Sequence, residues 1–354
     1  MPIYLNAGGH GLPSAETLER QRSQLQAEIR DGTVAAAEGA TAAVAQVRTC
    51  AARLLGTGPA RIALGNTTSQ FWLAALARLP LARRRVLVAP HEWGSHVRYL
   101  QQIAPDLGLT LEPIPEAEAM DPSAWAARMD QDLAAIVLPH VTSVQGLIYP
   151  VAEIGALPRP DTTLLVVDAA QSVGRVPATL PELNCDVLVA TARKWLRGPR
   201  ATAMMALSPR AEVLLGRAAT IEPMDANVML RLGMGAALAQ TLDQGVTAIA
   251  AELSQISETF RDTLGQHAEL AQWLEAGTPA VRTAPGHITL SVPAARCAAV
   301  DARLTAAGIR AKWANPAGEE PLSAAANGSR ILRITPHQYN TAADAKALAA
   351  ALTG

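Results

Sequence analysis

From about residue 15 to residue 210, helical stretches alternate with short apolar runs. Residues 14–55 are rich in Ala, Glu, Gln and Arg, a helical composition interrupted near Asp31-Gly32. Residues 61–65 read as a short strand, and residues 68–77 as a helix entered through a polar turn. Apolar runs recur at residues 86–89, 134–138, 164–167 and 187–190, bounded by Pro or Asp. Runs this short and this uniformly apolar fit strands buried on both faces of a largely parallel sheet. The pattern predicts an α/β fold with helices on both faces of the sheet.

Past about residue 233 the pattern changes. Residues 235–264 predict one long helix, 287–292 a strand, 299–307 a helix, 331–334 a strand and 341–352 a closing helix. The chain divides on this reading into a large domain over residues 14–233 and a smaller α+β domain over 234–354. Residues 1–13 are expected to pack with the small domain and the active site.

Composition narrows the function. The 354 residues are 49% hydrophobic and 17% charged, which suits a well-buried core and excludes a disordered chain. Net charge is −1 with no long basic run, so neither a nucleic-acid surface nor a membrane surface is expected. The N-terminus shows no basic-then-apolar signal, and no run of about eighteen apolar residues occurs. Cys50, Cys185 and Cys297 are odd in number and widely spaced, forming neither a disulfide framework nor a zinc site. The expectation is a cytoplasmic protein.

Only three lysines occur among thirty basic residues. One is Lys194, in Thr191-Ala192-Arg193-Lys194-Trp195-Leu196-Arg197-Gly198-Pro199, just after a predicted strand. Upstream, the strand over residues 164–167 ends in Asp168, with Gln171 three positions later. Open α/β sheets bind ligands at the carboxyl ends of their strands. A lysine amine that forms an imine and a carboxylate that keeps a pyridine nitrogen protonated are what pyridoxal phosphate (PLP) requires. Arginine cannot replace that lysine. Lys346 falls in a helix and Lys312 in a late loop without a paired acid-ended strand, so Lys194 is the candidate. Asp168 alone reads first as a helix cap, and the nearby Lys194 reverses that reading.

Other residues supply the surroundings. Gly65-Asn66-Thr67-Thr68-Ser69-Gln70 joins a strand to a helix and offers hydroxyls and backbone N–H groups to a phosphate, or simply caps that helix. Thr191 and Arg193 are further phosphate partners. Trp93 is suited to stack on a planar ring, or to fill core. His91 and His96 lack a third ligand at metal spacing, so no metal is expected.

These motifs resemble the class V aminotransferase-like, fold-type I PLP enzymes, a family that includes cysteine desulfurases, isopenicillin N epimerases and C–S lyases. The resemblance runs from Tyr4-Leu5-Asn6-Ala7-Gly8 almost to the C-terminus. It implies phosphate contacts from Thr67, Thr68, Thr191 and Arg193, stacking by Trp93, and a ring-oxygen contact from Ser143. It implies cofactor contacts from Asp168, Gln171 and Asn227, the last in a region where family dimers reach the neighbouring active site. Lys194 becomes the imine lysine, and Arg333 the residue that grips the substrate α-carboxylate. Asn6 and His10 join it on the substrate side, and a homodimer is implied.

Two further observations sharpen the activity. The segment 308–316, where a desulfurase carries its nucleophilic cysteine, has none. The runs around Lys194 and over 332–337 resemble the hercynylcysteine S-oxide lyases of ergothioneine biosynthesis. The expectation is a C–S β-lyase acting on a cysteine S-conjugate or sulfoxide and yielding pyruvate and ammonia. An aminotransferase or amino-acid epimerase is the alternative, and a desulfurase is disfavoured. Trp72, Trp93 and Trp313 are candidates for an aromatic wall around a trimethylammonium group.

Overall fold

The computed structural model describes residues 2–79, 84–323 and 329–354. Its centre is a seven-stranded sheet in the order Ile62–Gly65, Ala203–Leu207, Val187–Thr191, Leu164–Asp168, Leu133–Pro139, Arg85–Val88, Thr110–Pro113. Neighbours run parallel except at Ala203–Leu207, which is antiparallel to both strands beside it. The unbroken apolar runs have a direct cause. Leu165, Val167 and Leu188 face one hydrophobic core, while Val166, Val187 and Val189 face another. Both faces of each strand are therefore covered, and neither tolerates a polar position.

Two strands escape the sequence pattern. Thr110–Pro113 is a partly exposed edge strand with Glu112 and Pro113 in it. Ala203–Leu207 reads Ala-Met-Met-Ala-Leu, with little intrinsic β preference, and is buried throughout. The helical segment over 14–55 breaks at Gly32, as its sequence indicates, and again at Ala40, giving helices Ala15–Asp31, Thr33–Gly39 and Thr41–Leu55. The helix predicted over 235–264 is two, Val228–Gln244 and Val246–Gly265. Gly245 separates the latter pair at φ 82°, a left-handed backbone that favours glycine.

Helix Val228–Gln244 packs against Ala15–Asp31 and Thr41–Leu55. A division after residue 233 would cut it, and we propose the division at Gly245 instead. Beyond that point, strands Ile288–Pro293, Ser329–Ile334 and Lys312–Trp313 form an antiparallel sheet over a separate core. Strand Ile3–Tyr4 pairs parallel with Ile309–Arg310, and Asn6 bridges to Thr335. The N-terminal segment is thereby anchored among the C-terminal strands. Among the described residues no helix is long and apolar enough to cross a membrane.

Candidate active site

The parallel register aligns Pro139 with Asp168 and Asp168 with Val189, so three strands end at one edge of the sheet. Asp168, the last residue of its strand, is buried there. Its Oδ1 accepts the Ala170 N–H at 2.8 Å, so the carboxylate does cap the following turn, but with one oxygen only. Lys194 follows the next strand by three residues and is only 7% exposed. Burial holds its amine well below the usual lysine range, aided by the positive charges of Arg193, Arg333 and Lys312 and opposed by Asp168.

Thr68, Trp93, Ser143, Asp168, Gln171 and Lys194 line one cavity, together with Arg193 and His91. Trp93 forms a wall of it, the Lys194 Nζ lying 5.7 Å from the centre of its ring. Thr68 enters because it opens helix Thr68–Leu76, whose cap is the Thr67 hydroxyl accepting the Gln70 N–H at 3.1 Å. Thr67 thus shapes the helix end instead of lining the cavity. Thr191 is likewise one step removed. Its hydroxyl donates to the Thr202 carbonyl and accepts from Arg193 Nη1 at 2.8 Å, which fixes the guanidinium. The Gln171 amide donates to the Gly8 carbonyl at 2.9 Å and accepts from the Trp195 indole at 2.9 Å.

A second space adjoins the first and shares Trp93, Ser143, Arg193 and Lys194 with it. Asn6, His10, Arg200, Lys312 and Arg333 also line that vestibule, with Tyr4, Gly8 and Gly9. Arg333 sits within strand Ser329–Ile334 and is 1% exposed, so it is no ordinary strand-end charge. Its Nη1 donates to the Ser143 carbonyl at 2.7 Å and lies 3.4 Å from Glu319 Oε2. Its Nε and Nη2 are buried without a partner among the described residues. A guanidinium with two unmet donors matches a carboxylate.

The structure corrects several expectations. Lys312 is not in a loop: it lies on strand Lys312–Trp313, where its Nζ is 2.9 Å from Glu319 Oε1. Trp72 belongs to the core, fully buried and stacked on His96, so it cannot serve as an aromatic wall. The Trp313 indole donates to Asp301 and lies under Arg330, and only Trp93 of the three lines the cavity. Asn227 caps helix Val228–Gln244 through the Leu230 N–H at 2.9 Å. It lines a surface groove with Asn66 and Val34, and this chain does not bring it to Lys194.

Glu319, Glu320 and Glu92 go unnoticed in the sequence, and His96 reads there only as a histidine without a third ligand at metal spacing. Glu319 joins Ser143, Lys312 and Arg333. Glu320 accepts the Ser143 and Val144 N–H groups at 2.7 and 2.8 Å. Burial pushes its carboxyl up to about 8, against those two hydrogen bonds. Glu92 and His96 are buried beside Asp168, the three offering ligand-type atoms within 4.8 Å of one another. No sequence spacing announces Asp168 as the third member.

The cavity therefore joins a buried amine, a carboxylate, an aromatic wall, and a helix N-terminus with an arginine. The class-V aminotransferase model matches residues 11–220. The chain belongs to the class-V aminotransferase family. The residues of its cavity fit the cofactor of that family, pyridoxal phosphate. Over 372 aligned residues the chain is 29% identical to a probable hercynylcysteine sulfoxide lyase of Mycobacterium tuberculosis (strain CDC 1551 / Oshkosh), covering 99% of this chain and 89% of that one. It is 29% identical to isopenicillin N epimerase of Streptomyces clavuligerus over 62% of this chain and 56% of that one. Among solved structures, the cystine C-S lyase C-DES in complex with its product cysteine persulfide has a TM-score of 0.82 at 19% identity. That alignment covers 99% of this chain and 97% of C-DES, and gives the class-V protein the fold-type I architecture.

Proposed function

We propose that this class-V protein is a PLP-dependent C–S β-lyase acting on a cysteine S-conjugate or sulfoxide, with hercynylcysteine S-oxide the first candidate. The observation that carries this reading is the vestibule. A guanidinium with two unmet donors stands beside a buried lysine, and among the described residues no thiol lines the space. Cys50 and Cys185 are buried in the core of the large sheet, and Cys297 in that of the small one. The similarity over nearly the full chain to a probable sulfoxide lyase supports the same assignment.

PLP, when bound, supplies an electron sink that lets the Cα proton leave and the Cβ–S bond break with its electron pair on sulfur, after which water converts the three-carbon remainder to pyruvate and ammonia. Lys194 holds the cofactor through Nζ. Once released to the substrate, the same amine is neutral enough to take the Cα proton, because burial and neighbouring cations disfavour its charged form. Asp168 would meet the ring nitrogen. Thr68 and Arg193 would hold the phosphate, with Thr67 and Thr191 shaping that end. Trp93 would stack on the ring. Ser143 and Gln171 would take the ring oxygen, Gln171 with the amide hydrogen not committed to Gly8. Arg333 binds the substrate α-carboxylate, flanked by Asn6 and His10.

We also propose a cytoplasmic homodimer. Leu18, Leu25 and Ile29 lie exposed on helix Ala15–Asp31, with Val34 and Met224 also exposed. The groove holding Asn227 adjoins Leu25 and Val34. A second copy covering that face would give Asn227 its route to a cofactor.

The test is a substrate panel of cysteine sulfoxides, cysteine S-conjugates and free cysteine, with every amino and keto product measured. Sulfoxides and S-conjugates should give pyruvate and ammonia in equal amounts and faster than free cysteine. Racemisation or transamination without pyruvate would instead support the epimerase or aminotransferase reading. Alanine with a protein-bound persulfide would overturn the lyase assignment.

A further inference from the structure

Next to Asp168 lies a pair of ionisable side chains that the proposed reaction leaves unused. Glu92 stands in the turn before helix Gly94–Leu107, and His96 lies in the first turn of that helix; both are fully buried. His96 Nδ1 is 2.8 Å from Glu92 Oε1 and 3.7 Å from Asp168 Oδ2. The same Glu92 oxygen accepts the Trp93 N–H at 2.9 Å. The imidazole stacks on Trp72 with centroids 4.7 Å apart and planes 15° from parallel. One chain of contacts thus runs from the backbone of the cavity's wall, through Glu92 and His96, to the carboxylate at the sheet edge.

Such a pair is costly to bury. Among the described residues Glu92 Oε2 and His96 Nε2 have no partner, and apolar side chains of similar volume would pack there at no electrostatic cost. Two carboxylates this close also oppose each other's ionisation. Burial pushes the Glu92 carboxyl up, His96 pulls it back, and Asp168 pushes it up again. The 2.8 Å contact between Glu92 Oε1 and His96 Nδ1 ties these two groups together beside the Asp168 carboxylate. Its Oδ1 is already held by the Ala170 N–H, and the imidazole stands at Oδ2.

We propose that Glu92 and His96 are positioning residues for Asp168: the imidazole, held by Glu92 and stacked on Trp72, packs against the carboxylate and sets its orientation toward the place a cofactor's ring nitrogen would take. The proposal rests on the PLP reading and not on the choice of lyase, epimerase or aminotransferase. The surrounding elements leave few competing charges. Helix Thr68–Leu76 contributes uncharged Trp72. The turn before helix Gly94–Leu107 contributes His91, held by the Tyr149 hydroxyl at 2.7 Å, and Tyr149 itself feels Glu92. Beyond Asp168 lie Lys194 and Arg193.

The experiment reconstitutes apoprotein with 15N-labelled pyridoxal phosphate and reads the ring-nitrogen chemical shift across the neutral pH range. Wild type is compared with Glu92→Gln, His96→Asn and His96→Leu, and kcat and KM are measured in parallel. Wild type should show a protonated ring nitrogen. In His96→Leu that signal should move toward the unprotonated value, with kcat down roughly tenfold or more and KM little changed. His96→Asn, which keeps a donor near the Nδ1 position, should recover part of both. Glu92→Gln should shift the pH at which the nitrogen loses its proton. The last two variants are close in size to the native side chains, so the test survives a misfolded His96→Leu. Wild-type chemical shift and pH profile in Glu92→Gln and His96→Asn would overturn the proposal. A wild-type protein that takes up no pyridoxal phosphate would overturn the cofactor reading beneath it.

Discussion

Arg333 Nη1 lies 3.4 Å from Glu319 Oε2, so one arm of this buried guanidinium is neutralised by the protein while Nε and Nη2 have no protein partner among the described residues. Its charge is anchored and its remaining donors are free for a ligand. Arg333→Lys keeps the charge and loses the fork. A charged hydrogen bond is worth about 1.5–3 kcal/mol, so kcat/KM for amino-acid substrates should fall by roughly tenfold to a hundredfold. Steady-state kinetics on the variant check this; an unchanged kcat/KM would assign carboxylate binding to another group.

Lys194→Ala should abolish turnover without unfolding the protein. The reason is not an exposed turn, since Lys194 is buried, but its surroundings of Arg193, Arg333 and Lys312. Holding this amine away from its charged form costs the folded chain stability that an alanine would not cost, and no carboxylate is left without its only partner, because Asp168 retains the Ala170 N–H. Calorimetry of the apoprotein should give a Tm equal to wild type or higher. A drop of many degrees would show that Lys194 is needed for the fold itself.

Replacing Cys50, Cys185 and Cys297 together with Ala should leave pyruvate formation within about twofold of wild type, a change of less than about 0.5 kcal/mol in barrier. All three are buried in packed cores, so thermal stability should fall even as activity persists. Loss of activity at a temperature where circular dichroism shows the variant folded would implicate a thiol in the chemistry.

Glu320 predicts a pH dependence of stability. Its carboxyl is raised to about 8 in the fold, above its ordinary value of 4.5. Between those values the folded protein holds a proton that the unfolded chain has released. Stability from this group is therefore full below about 4.5 and is lost as pH rises toward 8, with a limiting slope of about 1.4 kcal/mol per pH unit. Glu320→Gln keeps an oxygen for the Ser143 and Val144 N–H groups and should flatten that decline. Urea denaturation at several pH values reads the difference; identical slopes would remove Glu320 as the cause.

The large sheet and the ends of its strands were legible because burial on both faces leaves an unbroken apolar run, as at residues 164–167 and 187–190. Asp168 stood out by ending one such run, and Lys194 because so few lysines occur. Ala203–Leu207 was hidden by its Ala and Met content, and Thr110–Pro113 by its edge position. The contacts of Glu319 and Glu320 with Ser143 cross more than 170 positions, and nothing local in a Pro/Gly-rich segment announces them. Trp72 looked like a ligand wall because aromatic type alone does not tell core from cavity. His96 gains Asp168 as a neighbour only when helix Gly94–Leu107 packs beside the strand end.

The central claim is that Lys194 holds pyridoxal phosphate, and borohydride trapping tests it most directly. Protein reconstituted with the cofactor should show an imine absorbance band that borohydride abolishes, leaving a stable phosphopyridoxyl group. Proteolysis and mass spectrometry should find that group on the peptide containing Lys194, and Lys194→Ala should yield no adduct. An adduct on Lys312 or Lys346, or its persistence in Lys194→Ala, would contradict the account.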